Sequence, residues 1–226
     1  MVIRLQFFGG RGAGSGMGDS GDWLDREGEK SRGKLNPIDV RKYQGQSLEK
    51  IEARIRRLAH EQLYALDQDG KIIAAYKGNA TSVAFPASLL KMRGITVTHG
   101  HPKGYAEFGG TFSFADIDNM LKSDWQEHRA AASGQGEMNY IMRRTPRADP
   151  PALRERINRD YPDLISRAKE VYKEAYDKEA GLHGEKQARH VARQRQVGVL
   201  NAYYKEIFPQ YGFEYITRKK EYQYNR

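Results

Sequence analysis

The 226-residue sequence contains no cysteine. Disulfides, thiolate metal sites and cysteine nucleophiles are therefore excluded, and any bound metal must be held by His, Asp or Glu. No apolar run approaches the ~20 residues that a membrane-spanning helix needs. The opening Met-Val-Ile-Arg-Leu-Gln-Phe-Phe reaches glycine too early for a secretory signal, so no leader is expected. Apolar residues are sparse, at 38% with a mean hydropathy of −0.81, which leaves part of the chain outside a packed core. A strong charge excess is also missing. The net charge is +9, and residues 147–226 hold seventeen basic against twelve acidic groups. That balance permits contact with nucleic acid or an acidic partner without demanding it, so nucleic acid is possible but not favoured. No membrane partner is expected.

Nine of the 23 glycines fall between Gly9 and Gly33, in a stretch with no helical or strand period. This predicts a flexible tail over residues 1–46. Within it, Gly28 to Leu35 imitates a phosphate-binding loop. It has Leu35 where magnesium would need a hydroxyl, and no strand before Gly28, so it reads as a charged linker. From Ser47 the texture changes. Leu48, Ile51, Ile55 and Leu58 recur at helical spacing behind a Ser47 cap. Gln62 to Asp67 and Lys71 to Tyr76 flank Asp69-Gly70, a hairpin signal. A strand at 81–85, a short helix at 86–92, a strand at 95–99, a helix at 113–125 and a hairpin over 128–142 follow. The order predicts an α/β fold with a mixed sheet. The Pro-rich stretch 146–151 marks a boundary. Beyond it the pattern is helical over 152–208, broken at Gly181 and Gly184, with a last strand at 212–217 and a basic, tyrosine-bearing tail.

The chemistry concentrates at 94–117. His99 and His101 are two apart in a strand, so both imidazoles point to one face. Pro102 ends pairing there. Ser113 and Asp116 are neighbours in the first turn of the next helix. Each signal has an ordinary counterpart: an incidental His pair, or a helix cap followed by an acid. His60 is a candidate neighbour of the site through Glu61, whereas His128, His183 and His190 read as surface or structural residues.

In order, His99-x-His101-Pro102, a loop and Ser113-x-x-Asp116 resemble the JAB/MPN metalloproteases (JAMM) and their RadC-type bacterial relatives. Those families add a glutamate on an upstream strand, the place that Glu61 takes here. The stretch Tyr76 to Pro86 is also similar to the RadC-type middle strand. Two features depart from the family. Eleven residues (Pro102 to Phe112) separate His101 from Ser113 where seven are usual, and Gly100 stands where RadC-type chains carry asparagine. The opening Leu5 to Gly12 is similar to small proteins encoded in phage head-gene clusters and mobile elements.

The resemblance implies a three-layer mixed β-sheet flanked by helices (JAB/MPN, cytidine-deaminase-like) over residues 47–146. A flexible tail (1–46) would precede it, and a mainly helical basic extension (147–226) would follow. It implies a Zn2+ ion held by His99, His101 and Asp116, with Glu61 as general base and Ser113 stabilising the oxyanion. The function implied is cleavage of a peptide or isopeptide bond in a protein docked at the metal site and the C-terminal extension. The compartment implied is the cytoplasm of a bacterial host, or a virion. Two alternatives stay open: a phage structural or binding protein that keeps the fold without catalysis, and a RadC-like DNA-associated metalloprotein.

Overall fold

The computed structural model describes residues 2–6, 34–102, 110–133 and 138–219. The glycine-rich stretch 7–33, most of the His101–Ser113 spacer (103–109), the turn at 134–137 and the tail from 220 lie outside the described residues. The protein is mixed α/β, with a six-stranded mixed sheet and four α-helices among the described residues.

Helix α1 (Leu48–Ile55) starts where Ser47 Oγ accepts the Lys50 amide, 3.4 Å away. Its apolar stripe, Ile51 and Ile55, is buried. Strands β2 (Gln62–Leu66) and β3 (Ile72–Lys77) form the expected hairpin. Asp67 Oδ1 accepts the amides of Asp69 and Lys71, and Gly70 takes φ +76°, which favours glycine. Strand β4 (Ser82–Pro86) does not join this sheet. It pairs antiparallel with β1 (Val2–Gln6), so the predicted tail begins with a paired strand. The other end of that tail is also tied down: Ile38 donates to the Ala75 carbonyl and Lys77 to that of Asn36. The short helix expected at 86–92 is a 3-10 turn, Ala87–Lys91.

The sheet runs β3, β2, β5 (Thr96–His101), β6 (Glu127–Ala132), β7 (Met138–Arg144), β8 (Phe213–Lys219), so β5 lies near its centre. It is antiparallel to β2 and parallel to β6. Parallel neighbours need a crossover, and α2 (Phe114–Lys122) supplies it. Strand β7 then returns antiparallel. Helix α3 (Pro150–His183) runs through Pro162 and Gly181 without a break. The break comes only at Gly184, which takes φ +79° before α4 (Glu185–Ile207). The sheet does not end at the Pro-rich boundary, because β8 pairs with β7 as its edge strand.

Helix α1 covers one face with Tyr64, Leu66, Ile72, Ala75 and Ala131. Helices α2, α3 and α4 cover the other, burying Ile117, Met120, Leu153, Ile157, Tyr204 and Ile207 against Val97, Ala130 and Met142. The α1 face also holds charge. Glu52 accepts from Arg129 through Nε (2.5 Å) and Nη2 (3.1 Å), from Asn139 (2.7 Å) and from Thr98 (3.3 Å). Glu127 then links Arg129 to Arg143. On the same side, a Cβ at Gly100 would sit 3.1 Å from the Ile55 carbonyl oxygen, so glycine lets α1 close on β5. No helix among the described residues is long and apolar enough to cross a membrane.

Candidate metal centre

β5 delivers His99 and His101 to the face covered by α2, as strand alternation requires. The first turn of α2 brings Asp116 to them. Ser113 caps that helix: its Oγ accepts the Asp116 amide (3.1 Å), and its own amide donates to Asp116 Oδ2 (2.7 Å). The cap uses the Ser113 oxygen only as an acceptor, so its O–H can still donate. All three side chains are buried, at 1%, 0% and 0% exposure for His99, His101 and Asp116.

His99 Nε2 lies 2.8 Å from His101 Nε2 and 3.3 Å from Asp116 Oδ1, and His101 Nε2 lies 3.7 Å from Asp116 Oδ2. Ligands at ~2 Å around a tetrahedral ion stand roughly 3.3 Å apart. The observed separations straddle that spacing. The long spacer therefore does not displace Asp116 from the histidines. Its last residues instead help to build the site, because the Gly110 carbonyl is 2.9 Å from His101 Nδ1.

Glu61 is buried at the approach to β2. Leu63 pairs with His99, and continuing that register two residues puts Glu61 opposite His101 on the same face. His60 turns away, with Nε2 3.0 Å from the Gln62 side chain on the α1 side. His183 is exposed near Glu179.

His128, read above as a surface or structural residue, is not at the surface: it is fully buried beside His99. Its Nε2 is 3.2 Å from His99 Nδ1 and its Nδ1 is 3.1 Å from the Asp116 carbonyl oxygen. Phe112 and Trp125 flank the ring, each with its centroid 5.2 Å away. His99, Asp116 and His128 form a buried group that could hold a metal ion, with ligand atoms all within 4.8 Å of one another. The alternation of β6 pointed His128 and Ala130 to one face. What sequence could not supply was the parallel register that sets this face beside β5.

Proton counting decides how these rings can be occupied. A carbonyl only accepts, so His101 Nδ1 and His128 Nδ1 must each carry the hydrogen that faces Gly110 and Asp116. In the neutral rings both Nε2 atoms are then lone pairs, and both point at His99. A neutral His99 has one proton for two gaps. In that state one gap is left with facing lone pairs, which a cation would fill, either a second proton on His99 or a metal ion; Asp116 Oδ1, buried, accepts no aligned hydrogen bond. Burial pushes His101 down and His128 down to about 3, so extra protons on those rings are disfavoured. Burial alone would raise Asp116, but His99 and His101 outweigh it and hold the carboxyl well below its usual range.

The C-terminal segment closes the arrangement. Tyr215 donates to Asn201 Oδ1 (2.5 Å), which leaves Thr111 Oγ1 to donate to the Tyr215 oxygen at 2.6 Å. Phe112 packs against Tyr215 and His128. Comparison with protein-family models, with curated proteins and with solved structures gives no match.

Proposed function

We propose that this protein is a zinc-dependent hydrolase of the JAB/MPN type that cuts a peptide or isopeptide bond in a protein substrate. The observation that carries the proposal is the buried convergence of His99 Nε2, His101 Nε2 and the Asp116 carboxylate at separations of 2.8, 3.3 and 3.7 Å, which straddle the edge of a tetrahedral metal site. His99 Nε2, His101 Nε2 and an Asp116 oxygen would hold it. The alternative group of His99, Asp116 and His128 also sets its ligand atoms within 4.8 Å of one another, but His128 Nε2 and His99 Nδ1 there stand at a hydrogen-bonding 3.2 Å. When bound, zinc supplies a Lewis acid and a water whose pKa falls to roughly 7. Glu61 then has the base's part: it takes a proton as water's oxygen bonds to the scissile carbonyl carbon, and gives it to the departing nitrogen as the C–N bond breaks. The Ser113 hydroxyl donates to the oxygen on which negative charge grows. The sheet with α1 on one face and α2 on the other, and the β5–α2–β6 crossover that carries the motif, support the JAB/MPN assignment.

Burial of the histidines and Asp116 favours a second reading, a closed metal site that only stabilises the fold. Elemental analysis and turnover separate the two. The wild-type chain should hold about one zinc per molecule, and His99→Ala/His101→Ala should hold none. Glu61→Gln should keep zinc and lose hydrolysis of isopeptide-linked protein chains. Metal-free wild type as stable as the zinc-treated protein would overturn both readings. Zinc binding without turnover in wild type leaves only the second.

A further inference from the structure

His128 belongs to no part of the motif, yet it is fully buried and placed at hydrogen-bonding distance from two members of the site. As mere filling between Phe112 and Trp125, a phenylalanine would serve without burying two polar nitrogens. Each nitrogen instead has its own partner. Nδ1 faces the Asp116 carbonyl, so it carries the proton, and Nε2 is fixed as an acceptor facing His99 Nδ1. The geometry points to a positioning role: His128 accepts the Nδ1 proton of His99 and holds that imidazole in the tautomer whose Nε2 lone pair faces His101 and Asp116.

Asp116 thereby enters the site twice. Its carboxylate faces the histidine pair, and its backbone carbonyl orients His128, which orients His99. The gap left without a proton is then the one that Asp116 Oδ1 lines, rather than the one beside His128. Without His128, the single proton of His99 moves to Nε2, where Asp116 and His101 both attract it, and the ligand lone pair is lost. Groups that fix a ligating imidazole in this way typically change metal affinity 10–100-fold.

The consequence for zinc rests on the metal-centre proposal, but the tautomer does not, so the test starts with metal-free protein. Long-range proton–nitrogen NMR of ring-labelled histidine at neutral pH reads whether His99 Nδ1 carries a proton. Wild type should carry it, and His128→Phe should move it to Nε2. Zinc affinity, measured by competition with a chelating dye, should fall about 10–100-fold in His128→Phe. His128→Gln should recover part of it, because a side-chain amide can accept from His99 and donate to Asp116. An unprotonated His99 Nδ1 in wild type overturns the inference, and this readout stands even if His128→Phe does not fold. So does a His128→Phe protein with unchanged tautomer and affinity, or a His128→Gln protein no better than His128→Phe. A wild type that binds no zinc defeats the metal-centre proposal, while the Nδ1 readout still decides the role of His128.

Discussion

Tyr215 lies on the last strand, a hundred residues from the loop that it holds, and replacing it with phenylalanine isolates that link. The substitution keeps the ring between Phe112, Tyr204 and Phe208 and deletes only the hydroxyl. Two hydrogen bonds go, from Thr111 Oγ1 at 2.6 Å and to Asn201 Oδ1 at 2.5 Å. Each contributes about 1 kcal/mol net, and the stranded buried Thr111 hydroxyl adds to the loss, so about 2 kcal/mol is expected. With a urea m-value of about 2 kcal/mol/M, the unfolding midpoint should drop by roughly 1 M at unchanged slope. Zinc affinity should fall as well, since Gly110, which orients His101, is the residue next to Thr111. A midpoint shift below roughly 0.2 M, or a full shift with unaltered zinc affinity, would refute the claim that Tyr215 holds the site through this loop.

The buried ion pair on the α1 face gives a second expectation. Glu52→Ala strips Arg129 of its two-pronged partner and leaves a guanidinium only half-compensated by Glu127. A loss of about 3–5 kcal/mol should appear in urea denaturation, and a change under about 1 kcal/mol would mean that Glu127 alone suffices. The acid limb of stability is the third. His128 has an ordinary value of 6.5 and is pushed to about 3 by burial, so the unfolded chain binds its proton first as pH falls. The stabilisation is therefore complete above 6.5 and is lost progressively down to about 3, a difference of about 5 kcal/mol for metal-free protein. Urea midpoints that stay flat over that range would mean that the ring is hydrated.

The local parts of this architecture were legible in sequence because local chemistry determines them. Ser47 and Ser113 announce helix starts, Asp67 and Gly70 a hairpin, and His99-x-His101 a shared strand face. Long-range pairing was not legible. Nothing near Val2 shows that it meets Pro86, and nothing near Phe213 shows that it extends the sheet beyond Arg144. Glu61 was found only through resemblance; it lies two residues before Leu63, the β2 partner of His99. His128 was missed for a related reason: its neighbour His99 lies across a parallel pairing bridged by a whole helix. The continuity of α3 through Pro162 and Gly181 also runs against single-residue propensity, since helix packing against α4 and the sheet outweighs two weak formers.

The Tyr215 clamp on Thr111 also sets an order of assembly. During synthesis His99, His101, Asp116 and His128 all leave the ribosome before Tyr215 exists. Strand β8 can dock only after the α3–α4 hairpin, residues 150–207, has been made. At roughly 5–20 residues per second, the nascent chain carries its candidate ligands for several seconds without the hydroxyl that fixes their loop. The centre is thus finished by the segment that contributes none of its ligands. A ribosome stalled short of β8 would display a complete set of ligands in an unfinished site.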